Sequence, residues 1–387
     1  MTDIVKSTKR DLRLDFFRGL ALFFIFIDHV PDNFLSNFTL TSIGFSDAAH
    51  VFVFVSGYAA ALVYGAAMRQ HGTLFAAARV YRRVWQLYVA HIFLFVIFTA
   101  EVSYTVVTFN NPLYNEEMRV ADFLAEPHIA IIKALLLQFQ PTFLDILPLY
   151  IVLLAIFPIV LLALGRSIWV ALVPSVILYV LVHIYKFTLP GYPANHAWFF
   201  NPFAWQLLFV IGAICGFAQV GRRSVLPTGR WFTGLAIIAG TIVIVSAAIR
   251  ISWTIHWYYD PVPALLVKKL LPLDKSNLGA LPLLHFLALA IVVVSLVPAG
   301  SRWLERKWVY PVILCGQHSL HIFCLGILLA VLGHFALVEI NDGVAMQFAV
   351  NAVGALLMIG TAWLMSWYKL TERISAKPAL PQGSPAP

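Results

Sequence analysis

Apolar residues in this chain come in long unbroken runs, not in the alternation of a half-buried strand or the one-sided spacing of a surface helix. Runs suited to spanning fall over 14–30, 46–68, 84–108, 144–164 and 167–187, and again over 203–220, 231–250, 279–299, 309–333 and 344–368. A helix needs about 20 apolar residues to cross the hydrocarbon core of a bilayer. The pattern therefore predicts an all-α polytopic membrane protein with ten spans and short connections. A further apolar stretch over 128–140 is too short to span. It is expected to lie at the interface or re-enter before the fourth span.

Composition agrees. Of 387 residues, 61% are hydrophobic and 11% are charged, whereas soluble chains carry roughly 25% charged residues. A water-soluble enzyme is excluded. The basic surplus, 26 Lys and Arg against 18 Asp and Glu, sorts by side once the spans are drawn. With the N-terminus inside, one side collects Lys6, Lys9, Arg10, Arg13, Arg69, Arg79, Arg82, Arg83 and Arg166. The same side holds Arg222, Arg223, Arg230, Arg302, Arg306, Lys307, Lys369, Arg373 and Lys377. The opposite side has Arg119, Lys133, Lys186, Arg250, Lys268, Lys269 and Lys275, with an acidic loop carrying Glu116, Glu117, Asp122 and Glu126.

Cationic loops stay in the cytoplasm, so both termini are expected there. The division is a cytoplasmic segment over 1–13, a membrane domain over 14–370, and a cytoplasmic tail over 371–387 whose Pro-rich end is expected to be disordered. The surplus describes topology, and no nucleic-acid partner is expected. Lys6, Lys9 and Arg10 precede an apolar run interrupted by Arg18, Asp28 and His29, which reads as a retained first helix, not a cleaved leader. Cys215, Cys315 and Cys324 sit in apolar runs and read as packing residues.

Ionisable groups inside spans are expensive and are functional candidates by default. Arg18 and His29 are 11 residues apart on the first span, close to one helical face and separated by roughly 16 Å of rise. Asp28 points about 100° away from His29. The third span opens with Arg79, Arg82, Arg83 and Gln86 at helical spacing, a stripe suited to bidentate binding of a polyphosphate or to simple cationic flanking. On the outer side His50, Asp145, Asn201, Gln206 and His285 join Asp28 and His29 as the lining of a polar vestibule. Ser56 lies deeper, and Gln317, His318 and His321 are expected near mid-membrane. The chain has no HExxH or Cys/His metal spacing, no Walker loop, no GxGxxG and no GxSxG elbow around Ser56. No metal or resident cofactor is expected.

Arg18 followed by ten residues and His29 matches the Arg-x10-His signature of the family-3 membrane-bound acyltransferases, and "VFVFVSGY" resembles that family's second-helix pattern. The ordered blocks "DFFRGLALFFIFIDHVPDN", "RRVWQLYVAHI", "LDILPLYIVLL", "NPFAWQLLFVIGA" and "GQHSLHIFCLGILLA" resemble its OpgC-type branch, named for succinyl transfer to osmoregulated periplasmic glucans. The similarity runs from about residue 10 to 370.

The resemblance implies a multi-pass protein of a bacterial inner membrane. It also implies acyl transfer from cytoplasmic acyl-CoA, succinyl-CoA or acetyl-CoA, to hydroxyls of a periplasmic glycan, with His29 central. Arg79, Arg82 and Arg83 are implied to bind the donor, and Arg18 and Gln86 join them as candidates. Neutral His29 is expected to act as general base, with Asp145 to orient it. Asp28, His50, Ser56, Asn201, Gln206, His285, Gln317 and His318 are expected to contact substrate. The partners expected are acyl-CoA, the glycan, the bilayer and, as a further possibility, glucan-synthesis machinery. A transporter or flippase for a sugar or lipid-linked oligosaccharide is the alternative reading, and a membrane anchor for a synthesis complex is a third.

Overall fold

The computed structural model describes residues 11–111, 113–194, 196–221, 223–254 and 273–375. The start of the expected N-terminal segment, Lys268, Lys269 and the Pro-rich tail from residue 376 lie outside the described residues. Among the described residues the structure is helical throughout, with a single isolated bridge between Pro190 and Ala197 as its only β pairing.

In chain order the helices are α1 (Leu12–Asp28), α2 (Leu40–Ile43), α3 (Ala48–His71), α4 (Thr73–Phe109), α5 (Leu113–Glu117), α6 (Ala121–Ala125), α7 (Pro127–Leu135) and α8 (Ile146–Arg166). They continue as α9 (Ile168–Tyr185), α10 (Pro202–Val220), α11 (Arg230–Thr254), α12 (Ala280–Leu296), α13 (Tyr310–Gln317), α14 (Ser319–Glu339) and α15 (Val344–Ser375). Eight of these, α3, α4, α8, α9, α10, α11, α14 and α15, are long and apolar enough to cross a membrane. The two remaining expected spans fall on α1 and α12, of 17 residues each, roughly 25 Å of helix. The short stretch before the fourth span forms α7, a helix of nine residues opened by Pro127.

One expected element differs. The run over 309–333 is not one helix: α13 stops at Gln317, His318 takes a non-helical ψ of 29°, and α14 restarts at Ser319. Just before the break α13 packs on α1 by a backbone-to-backbone approach. Gly316 rests on the carbonyl of Asp15, and Gly19 on the carbonyl of Val312, with no room for a Cβ at either glycine. This contact holds α13 against α1.

The core is built the same way. Gly57 of α3 meets the carbonyl of Phe209, while Gly212 and Gly216 of α10 meet the carbonyls of Phe54 and Tyr58. Without a hydrophobic gradient between helices and lipid, small residues that allow such approach are the main source of helix association. Around this pair pack Phe157, Trp205, Phe209 and Leu208, all essentially inaccessible. The lipid-side faces remain apolar, as in Ile159 of α8, Trp169 of α9 and Ile244 of α11.

Candidate functional site

A cavity of 140 Å³ lies between α1, α3, α4, α8 and α14. Arg18, Ser56, Tyr64, Arg83, Tyr150 and Ser319 supply its polar wall, and Phe52, Leu147 and Phe323 are part of its apolar lining. On α3 its lining runs from Phe52 to Tyr64, roughly 18 Å of rise, so the space is long and narrow. Arg18 donates from Nη2 to the carbonyl of Val55 at 3.4 Å, and Arg83 from Nη1 to Gln86 Oε1 at 3.3 Å. α14 begins at Ser319 without a side-chain cap, so the positive end of its dipole faces the same space.

Of the expected arginine stripe, only Arg83 enters this cavity, whereas Arg79, Arg82 and Gln86 are exposed on α4. His318 pairs with α15: its Nε2 is 2.7 Å from Ser366 Oγ, and Lys369 Nζ is 3.4 Å from its Nδ1. The break after Gln317 sets His318 beside Ser366 and Lys369, in the last third of α15. Gln317 itself ends α13 half-buried.

His29 closes α1 as its C-cap residue. Its Nδ1 is 2.6 Å from the carbonyl oxygen of Ile25. A carbonyl can only accept, so the proton sits on Nδ1 and Nε2 is left as an acceptor. Phe143 meets the ring edge to face at 4.6 Å. The orienting contact expected from Asp145 is supplied instead by Ile25, and among the described residues Asp145 makes no hydrogen bond to His29. Asp145 stands just before α8 and makes no side-chain capping bond to it. Burial lifts its carboxyl to about 7, and Arg119 opposes that lift.

The outer polar residues form a network around this end of α1. Thr39 Oγ1 and Thr41 Oγ1 donate to the two carboxylate oxygens of Asp28 at 2.6 and 2.8 Å. They fold the segment after α1 back over it, and Arg250 Nε adds a bond to the carbonyl of Thr41 at 3.2 Å. His285 Nδ1 lies 2.8 Å from Ser46 Oγ.

His50, essentially buried, donates from Nδ1 to Asp47 Oδ1 at 2.8 Å, and Lys275 Nζ is 3.4 Å from Asp47 Oδ2. Burial opposes ionisation of Asp47, but His50 and Lys275 outweigh it and hold the carboxyl well below its usual range. Both Asp47 and Lys275 lie within electrostatic reach of His29. Neither stands out in the sequence by spacing. The one signal for Asp47 is its place as an N-cap followed three residues later by a polar partner, His50.

Two expected vestibule residues are consumed by the fold. Asn201 caps α10 and bonds Phe187 and Asn277. Gln206 exchanges bonds with Ser175 of α9, whose Oγ donates at 2.6 Å. Ser56, by contrast, faces the cavity. Among the described residues no cluster of His, Cys, Asp and Glu is arranged to hold a metal ion.

Apolar helices packed through glycines, a narrow cavity lined by Arg18 and Arg83, and a histidine closing α1 with an acceptor nitrogen define a polytopic membrane protein with polar groups inside its bundle. Over residues 10–370 the chain matches the family model described as OpgC protein, and it belongs to that family. Family membership implies a transferase role. The searches of curated proteins and of solved structures return no match.

Proposed function

We propose that this protein is an O-acyltransferase that moves an acyl group from cytoplasmic acyl-CoA to a hydroxyl of a periplasmic glycan, with His29 as general base, in a bacterial inner membrane. Ten spans, formed by the eight long helices with α1 and α12, keep both termini in the cytoplasm. The observation that carries the reading is the arrangement along α1. Arg18 faces a long cationic cavity, and His29, roughly 16 Å further along the same helix, keeps Nε2 as an acceptor.

Coenzyme A is a polyanion with a thin flexible arm. Arg18, Arg83 and the positive end of α14 favour its phosphates at the inner mouth, and a narrow channel suits the arm. The acceptor hydroxyl gives its proton to His29 Nε2 as its oxygen attacks the thioester carbonyl carbon. The tetrahedral intermediate then collapses, the carbon–sulfur bond breaks, and the imidazolium returns the proton to the leaving thiolate. The products are the ester and free coenzyme A. The Nδ1 bond to Ile25 holds the ring in the tautomer this step needs, and the field of Asp47 favours its transient cation.

Mass spectrometry of cell-envelope glycans from cells with and without the protein tests the reading. Acyl esters present only with the protein support it. Identical glycans together with coenzyme A-independent sugar uptake into proteoliposomes would replace it with transport.

A further inference from the structure

Three loops that are far apart in the sequence meet at a second polar site, and one of them reaches His29 through Phe143. Thr142 N–H bonds the carbonyl of Met118, and Tyr192 N–H bonds the carbonyl of Gln138, at 3.2 and 2.9 Å. These bonds tie the segment before α6 and the segment between α9 and α10 to the 136–145 loop. Between them is a small notch of 10 Å³ lined by Arg119, Gln138, Gln140, Asp145, Tyr192 and His196, among others. That space holds about one water-sized group, which fits a single hydroxyl oxygen and excludes a whole sugar ring.

Gln138 accepts from Lys133 and Tyr192 donates to Glu126, but other polar groups of the notch are short of partners. Arg119 and Asp145 share the cavity, yet neither forms an ion pair or side-chain hydrogen bond with another described residue. Gln140 is 7% exposed and uses Nε2 on the carbonyl of Leu137. Its Oε1 has no protein partner among the described residues. His196 Nδ1 is buried without a hydrogen bond and lies 4.0 Å from Asp122 Oδ2. A cation, a carboxyl and an amide oxygen without side-chain partners among the described residues line one space, with an imidazole beside them, and they match a small ligand group that both donates and accepts. A hydroxyl does both.

The backbone is forced at the same place. Arg119, Leu137 and Phe143 all have left-handed φ, of 56°, 61° and 73°, a conformation that residues with side chains rarely adopt unless the surroundings impose it. The loop that supplies Gln138, Gln140 and Asp145 to the notch also supplies Phe143 to the face of His29.

We infer that this notch is an acceptor subsite: Arg119, Gln140 and Asp145 seat one hydroxyl of a neutral sugar chain, and the 136–145 loop thereby presents a neighbouring hydroxyl to His29. The inference rests on the acyltransferase reading for its second half, while the binding half stands alone. It assigns Asp145 to the acceptor, not to the imidazole.

The test uses the full-length protein in lipid nanodiscs, a tritiated short β-linked glucose oligomer as binding probe, and labelled acyl-CoA. Arg119→Gln and Gln140→Leu are each expected to weaken oligomer binding and raise the acceptor KM about tenfold, with the acyl-CoA KM unchanged. If wild type binds the oligomer and both variants bind it equally well, the subsite is overturned while the transferase reading stands. If wild type binds no oligomer, the subsite is also overturned. If the variants lose binding but wild type esterifies no glycan, the subsite stands and the transferase reading fails. A parallel rise in both KM values would mark a general structural effect and count against the subsite.

Discussion

His29 Nδ1 and the carbonyl oxygen of Ile25, one helical turn apart on α1, are 2.6 Å from each other. The bond fixes a ring at the end of a helix where no following turn could hold it, and it decides which nitrogen can take a proton. Nitrogen-15 NMR of histidine-labelled protein is expected to give His29 a protonated Nδ1 and a bare Nε2 at pH 8. The opposite tautomer would remove the basis for general-base action at Nε2.

Donor affinity is expected to separate the arginines by position. Arg83→Gln and Arg18→Gln, both on the cavity wall, should weaken coenzyme A binding about tenfold or more. Arg79→Gln and Arg82→Gln lie on the exposed face of α4, and each should lower affinity less than about threefold, with the loss erased by moderate salt. Calorimetric titration of each variant with coenzyme A makes the comparison, and equal losses at all four positions would contradict it.

Two glycines give a paired stability prediction. Gly212→Val puts a side chain against the carbonyl of Phe54 and should destabilise the bundle by about 1–3 kcal/mol or more. Gly234→Ala on α11 meets nothing within 4 Å and should be neutral or stabilising by up to about 1 kcal/mol. Thermal unfolding in detergent, followed by tryptophan fluorescence, distinguishes the two.

Asp47 and Asp145 predict opposite pH effects. The carboxyl of Asp47 is held below its ordinary value by His50 and Lys275 against burial. Its contribution is therefore present above about pH 4 and lost as pH falls further. Asp145 is raised to about 7 by burial, so the folded protein holds a proton the unfolded chain releases near pH 4, and stability falls as pH rises from about 4 to 7. Asp145→Asn should flatten the thermal midpoint across that window, and Asp47→Asn should flatten it only below about pH 4. The reverse pattern would contradict the assignments.

The spanning helices were legible because each needs a run of apolar residues, and such runs survive whatever the partners are. The break at His318 was not. It falls inside an unbroken apolar run, next to the place where Gly316 and Gly19 meet carbonyls across two helices, and hydropathy does not mark it. The same holds for the outer polar groups. Sequence position put His285, Asn201 and Gln206 on one side of the membrane, but only packing tells that Asn201 and Gln206 spend their hydrogen bonds on Asn277 and Ser175.

Arg18 and His29 were legible from their shared helical face. Asp47, Lys275, Arg119 and Gln140 were not, since they come from loops whose meeting depends on bonds such as Thr142 to Met118.

The most direct measurement is single-turnover transfer from labelled acyl-CoA to a periplasmic glucan by purified protein, comparing wild type with His29→Ala at matched donor affinity and thermal stability. General-base catalysis predicts that transfer falls by about 10²–10⁴-fold while coenzyme A binding is kept. Undiminished transfer in the variant would contradict it.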